Sequence, residues 1–503
     1  MGDRIRTVKT SSDATAVQIV RYKKGKTVVV SHIGSAHTED ALAVLKEEAA
    51  KQIEKTTMQE SLFPKEKQKT SPILIINKSE YLGTRYTFIY DVLRQIFRLF
   101  DFNQLKSQIL LDLVLMRIIE PVSKLESLEL LSEMFGIKYG KSSLYQALTL
   151  FSGLKTAVEK KVVAFAREHY RFDFSIVFYD VTTLYFESFK EDPEGFMKPG
   201  FSKDNKANQP QIVIGLIVTR EGFPVSYEVF AGNTFEGKTF IPTIAKFKKE
   251  HGVKNLTVVA DAAMISFPNV QSLITNNLSY IVGARMANLK LDQIKQVSRE
   301  LNQADDASVR IATERGLLVC DFSLIRYRKD KREMEKQIVK AEKLLQDNDA
   351  LKRTKFIKTD SKTAQSLNLD LVEKTKLLLG IKGYYTNLAD ETDETIIRQY
   401  HNLWHVELAF RIAKSDLAMR PIYHFKKQTI EAHILICFMA LSVCKYMELK
   451  TKKSTKKIVK LLKSITEARV KNLLTNEEVI MRMKIPEEIE QLWKTLLPTN
   501  LPH

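Results

Sequence analysis

Two aspartates stand where short apolar runs end. Asp180 closes Ser175-Ile-Val-Phe-Tyr-Asp180, and Asp261 closes Leu256-Thr-Val-Val-Ala-Asp261. Both runs are rich in β-branched and aromatic residues and read as strands. Each carboxylate therefore emerges at the rim of a sheet, in reach of solvent. If the two strands are parallel neighbours, both acids arrive on one side. A divalent cation relieves the repulsion between such anions, and hard Mg²⁺ prefers oxygen ligands. Either aspartate alone serves equally well as a cap or turn residue, and Asp261 ahead of Ala262-Ala-Met264 is placed for that.

A third carboxylate comes from a helix expected over Asp393 to Lys414. Tyr400, Glu407 and Lys414 share a face there, because seven residues complete about two turns. The face also holds Leu403, Trp404, Phe410 and Arg411. A carboxylate inside an apolar and aromatic stripe reads as a metal ligand. Its bland alternative is an i, i+4 ion pair with Arg411, worth about 0.2–0.5 kcal/mol. Other chemistries are poorly served. His401 and His405 have the spacing of a zinc pair, but the run is His-Asn-Leu-Trp-His with no cysteine partner. No Walker loop or GxGxxG follows a strand. Cys437 and Cys444 lie in an apolar helix and read as inert core residues.

These residues resemble bacterial insertion-sequence DDE transposases, in the group whose signature is Y-x2-R-x3-E-x6-K. The chain reads Tyr400-x2-Leu403-x3-Glu407-x6-Lys414, with Trp404-His-Val-Glu-Leu-Ala-Phe-Arg411 and Arg420-Pro-Ile-Tyr-His424 around it. The resemblance extends to Phe178-Tyr-Asp-Val-Thr-Thr183, Val258-Val-Ala-Asp-Ala262, Gly200-Phe-Ser-Lys-Asp204 and the segment Gly215 to Thr239. It implies Asp180, Asp261 and Glu407 as catalytic metal ligands, two Mg²⁺ ions (Mn²⁺ substituting), and DNA cleavage followed by strand joining. Tyr400 and Lys414 are implied phosphate contacts; Arg411 joins them by helical geometry. Leu403 replaces the family arginine, so Arg411 or His405 takes over its role or activity is reduced. The implied partners are element terminal repeats and target DNA, bound by a homodimer. A transposase-derived DNA binder and a structure-specific nuclease are the alternatives.

The supporting elements follow in chain order. Residues 1–70 read as a small unit, with a strand at Thr27 to Val30, a helix at Thr38 to Ile53 and a linker at Glu54 to Thr70. Residues 71–170 read as a helical DNA-binding region. Within it, helices at Leu125 to Phe135 and Lys141 to Phe151 flank a turn, like a helix-turn-helix with Ser142, Ser143, Tyr145 and Gln146 facing bases; an ordinary α-hairpin has the same pattern. Residues 171–289 give strands ending at Asp180, at Gln211 to Thr219 and at Pro224 to Phe230, then helix, strand, helix, strand. That is the order of an α/β, RNase H-like mixed-sheet core. Residues 290–375 read as an inserted subdomain, with a hairpin across Glu314-Arg-Gly316 and a charged helix from Arg326 to Asn348. Residues 376–448 complete the core, with a strand at Lys376 to Tyr384 and a buried helix at Thr429 to Met447. Residues 449–503 read as a basic helical tail.

Bulk properties agree. The chain has 503 residues, 44% hydrophobic and 27% charged, which suits several folded domains and excludes global disorder. Its formal charge of +18 favours a polyanionic partner. Three cysteines without CxxC spacing suit a reducing compartment. No signal-like segment opens MGDRIRTVKT, and the greasiest run, Ile434 to Cys444, is too short to span a bilayer. The expected setting is therefore cytoplasmic, with the nucleoid and without a membrane.

Overall fold

The computed structural model describes residues 3–23, 25–57, 76–188, 192, 195–202, 206, 208–264, 266–346, 355–360 and 363–497. The expected linker lies outside them from residue 58 onward, as do Lys203, Asp204 and the last two residues of the Arg326 to Asn348 helix. Contacts divide the chain into two units. One comprises residues 1–91, 132–137 and 460–490, and the other residues 92–131, 138–459 and 491–503.

The first unit opens with an antiparallel meander of Arg4–Lys9, Thr15–Lys23 and Lys26–Ala36, followed by the helix Glu39–Thr57. Only the third strand was legible in advance. Val17, Ile19 and Ala36 meet Leu45 and Ala49 in a small core. Adjacent Ala16 and Val17 are both buried because the register shifts between Val17 and Gln18, and a bulge breaks the usual alternation. A second sheet joins Ser79–Arg85 to Glu467–Asn472, which pairs in turn with Glu478–Arg482. The C-terminal segment is thus not wholly helical. The lysine run ends with the helix Thr455–Lys463, and a hairpin follows.

The second unit is built on an eight-stranded mixed sheet. Its order is Ser308–Thr313, Gly316–Phe322, Ile381–Thr386, Ser279–Gly283, Thr257–Ala260, Ile176–Tyr185, Gln211–Val218, Pro224–Ala231. Ile176–Tyr185 runs parallel to Thr257–Ala260, and that strand runs parallel to Ser279–Gly283; the remaining pairs are antiparallel. Gln211–Val218 is buried on both faces, which its unbroken apolar run dictates. The hairpin expected in a separate insert belongs to this sheet, since Gly316–Phe322 pairs with Ile381–Thr386. Only the helix Leu324–Gln346 and the elements after it keep their own core, of Met334, Ala341, Phe356, Val372 and Leu379. The expected strand at Lys376 starts later, at Ile381, because the helix Leu369–Lys376 and a turn at Gly380 precede it.

The helices Thr87–Leu99, Gln108–Ile119, Lys124–Phe135, Lys141–Phe151 and Lys155–Tyr170 follow the expected pattern closely. Lys427–Thr451 is long and apolar enough to cross a membrane. Its stretch from Ile430 to Met447 is nevertheless buried almost throughout, packed on Gln108–Ile119 and Lys141–Phe151. A helix apolar on every side needs such an all-round cover.

Candidate active site

Register brings the two aspartates together. Tyr179 pairs with Ala260 across the parallel strands, and the next residue on each side is Asp180 and Asp261. Neighbouring strands run about 4.8 Å apart. Asp180 is half-buried and Asp261 exposed; Asp261 follows the end of its strand, whereas Asp180, expected at a strand end, lies inside Ile176–Tyr185, which runs on past it paired with Gln211–Val218. Asp261 was equally readable as a cap. It does open the short turn Ala262–Met264, its backbone carbonyl accepting from Met264 N at 3.0 Å, while its carboxylate accepts a hydrogen bond from the Tyr400 hydroxyl at 3.3 Å.

The helix expected from Asp393 to Lys414 is interrupted. It forms as Asp393–His401 and Trp404–Arg411, followed by a π-turn over Ile412–Asp416. The joint is tightened by i→i+3 bonds, with Leu403 N donating to Tyr400 O at 3.0 Å and Val406 N to Leu403 O at 3.0 Å. The straight-helix face therefore does not hold. Tyr400 and Leu403, both 6% exposed, turn inward, while Glu407 and Arg411 remain exposed. Tyr400, an expected phosphate contact, donates its hydroxyl to Asp261. Among the described residues Glu407 forms no ion pair, so the alternative bridge to Arg411 is not made.

One open cavity of about 280 Å³ collects Asp180, Glu407, Arg411 and Lys414, with Arg420 on its wall. Asp261 joins electrostatically. Burial raises the Tyr400 phenol's pKa, and the charges of Asp261, Glu407 and Asp180 push it further in the same direction. All three carboxylates thus act on one hydroxyl. They do not form a closed cluster: among the described residues, no three His, Cys, Asp or Glu side chains stand close enough to hold a metal ready-made. Asp261 is tied to Tyr400 instead of being drawn to the other two.

Three contributors had no sequence signal. Lys382 lies 4.7 Å from the Tyr400 ring centroid and feels Asp261 and Glu407, although burial dominates and lowers its pKa. Tyr384 donates to the buried Asp321 at 2.8 Å and packs on Tyr400 with ring centroids 4.6 Å apart. Gly283 has no side chain because a Cβ would collide with the Tyr400 hydroxyl. Arg420 was visible as part of a motif, but its place beside Asp180 was not.

The model of the family described as "Transposase DDE domain" matches residues 171–443, more than half of the chain. Among solved structures, the chain is similar to a piggyBac transposase synaptic complex with hairpin DNA. The identity is 10% and the TM-score 0.35, over 83% of this chain and 77% of that one. No curated protein matches.

Proposed function

We propose that this chain, which belongs to the Transposase DDE domain family, cuts DNA at the ends of a mobile element and joins the freed ends to target DNA. The observation that carries the proposal is the shared cavity, in which Asp180 and Glu407 face Arg411, Lys414 and Arg420 while Asp261 adjoins in register. Strand order supports an RNase H-like core: Pro224–Ala231, Gln211–Val218, Ile176–Tyr185, Thr257–Ala260 and Ser279–Gly283 form a 3-2-1-4-5 block, extended here by three more strands.

The donor set fits Mg²⁺, being three carboxylates of hard oxygen with water access. Asp180, Asp261 and Glu407 would hold the metal, which when bound supplies charge stabilisation for an in-line phosphoryl displacement. The chain's own cations do the rest. Arg411, Lys414 and Arg420 orient the phosphodiester, and Tyr400 fixes the direction of Asp261. In the first step a water oxygen bonds to phosphorus and the P–O3′ bond breaks, leaving a 3′-OH. In the second, that hydroxyl bonds to a target phosphorus and displaces the target's own 3′ oxygen. The cytoplasmic setting and a dimer on DNA belong to the same proposal, as does a DNA-reading role for the exposed Ser142, Ser143, Tyr145 and Gln146.

A labelled element end incubated with the protein and Mg²⁺ tests the reading. Joined products are expected, with binding that falls steeply as salt rises because phosphate contacts release counterions. Cleavage without joining indicates a nuclease, and shifted but intact DNA a binder. Gly283→Ala is expected to push Tyr400 off Asp261 and slow single-turnover cleavage by about tenfold to a hundredfold, the worth of one hydrogen bond to a charged group. DNA affinity should stay put. Wild-type cleavage in that variant would show that Tyr400 does not position Asp261.

A further inference from the structure

We propose that a second cavity, floored by Lys124, Arg117 and His433, is a phosphate-binding site that takes a backbone phosphate of the nucleic-acid strand bound at the carboxylate cavity. The inference rests on the reading of the chain as a DNA-processing enzyme for the source of that phosphate, but not for the site itself. The cavity measures about 430 Å³, within the range of sites that hold a nucleotide-sized ligand.

Its floor is a buried cationic cluster. Lys124 is 7% exposed and Arg117 6%. The Lys124 ammonium lies 2.8 Å from His424 Nε2 and 2.9 Å from His433 Nδ1. His433 Nε2 lies 3.0 Å from the Met419 carbonyl, which fixes the tautomer: Nε2 donates there and Nδ1 accepts from lysine. The charged form of the lysine has three donors, two of them used here, so an anion that holds it protonated meets the third. Among the described residues no carboxylate pairs with Lys124 or Arg117, whose charges act on His424, His433 and the Cys437 thiol as well as on each other. Burial and Arg117 hold the lysine down at about 7, and burial with the same cations holds His424 at about 3. Buried cations without a counterion are costly unless an anion enters. A tetrahedral phosphate offers oxygens to several such donors at once.

Two observations point to a strand as the source. Arg420 lines both this cavity and the one holding Asp180 and Glu407, so the two cavities adjoin, as binding of successive phosphates of one strand requires. Tyr145, 55% exposed, lines the same cavity from the first turns of Lys141–Phe151.

The test uses the intact protein. Inorganic phosphate, against chloride at equal ionic strength, is expected to raise the wild-type melting temperature, since a ligand of the folded state alone stabilises it. Lys124→Met should melt at or above wild type in chloride and show no response to phosphate. Should that variant not fold, the imidazole NMR signals of His424 and His433 in the wild type must still move on adding phosphate. A 5′-phosphorylated oligonucleotide should bind Lys124→Met roughly tenfold more weakly, as loss of one charged contact predicts. Unchanged strand affinity with a lost phosphate response would assign the site to free phosphate or a mononucleotide. An equal phosphate response in both proteins, or static histidine signals, overturns the proposal. Absence of strand cleavage by the wild type would sink the transposase reading and leave the phosphate response standing.

Discussion

Asp180→Asn, Asp261→Asn and Glu407→Gln are each expected to lower strand cleavage by about a thousandfold or more while leaving DNA affinity within about threefold. The amide keeps the shape of the carboxylate and removes the charge a hard cation needs. A loss of about 4 kcal/mol in transition-state stabilisation corresponds to that factor. Folding should be spared, because Asp261 and Glu407 are exposed and Asp180 is half-buried. Affinity should be spared too, because none of the three substitutions removes a cation that could meet a phosphate. On the proposed reading the three acids serve one site, so a double variant should lose little beyond either single one. Cleavage above a tenth of wild type in any of the three variants removes that residue from the set.

Asp261 was legible because a strand end after a β-branched run is a local signal; Asp180 stood out by a similar run, although its strand continues to Tyr185. Their pairing was not: it depends on Tyr179 facing Ala260, a register fixed by the sheet as a whole. The break after His401 was hidden for a related reason. Asn402, a residue that favours caps, closes Asp393–His401, but a single Asn does not announce a break, and the inward contacts of Tyr400 with Asp261 and Tyr384 are not readable from the sequence. Lys382 and Gly283 left no trace, since their meaning lies in a tyrosine remote in sequence. The hairpin at Ser308–Phe322 was visible as a hairpin, but a hairpin pattern does not state which sheet it extends. In the N-terminal meander, Thr15–Lys23 escaped notice because its bulges spoil strict alternation.

Leu403→Arg separates the family signature from this chain's own packing. The signature carries arginine at this position, which suggests that restoring it speeds cleavage. The side chain here is 6% exposed, at the joint between Asp393–His401 and Trp404–Arg411. A guanidinium placed there must give up its hydration at a buried position. The expected cost is about 3 kcal/mol or more, read as a fall in melting temperature of roughly 6 °C or more. Leu403→Met, nearly equal in volume, should cost less than about 1.5 kcal/mol. On the proposed reading the phosphate role passes to Arg411, which is exposed and lines the cavity with Asp180 and Glu407. Arg411→Ala should therefore melt like wild type yet cleave about tenfold to a hundredfold more slowly, the value of one charged hydrogen bond to phosphate. A Leu403→Arg protein that melts normally and cleaves faster would mean that the helix joint opens toward DNA and that position 403, not 411, holds the phosphate.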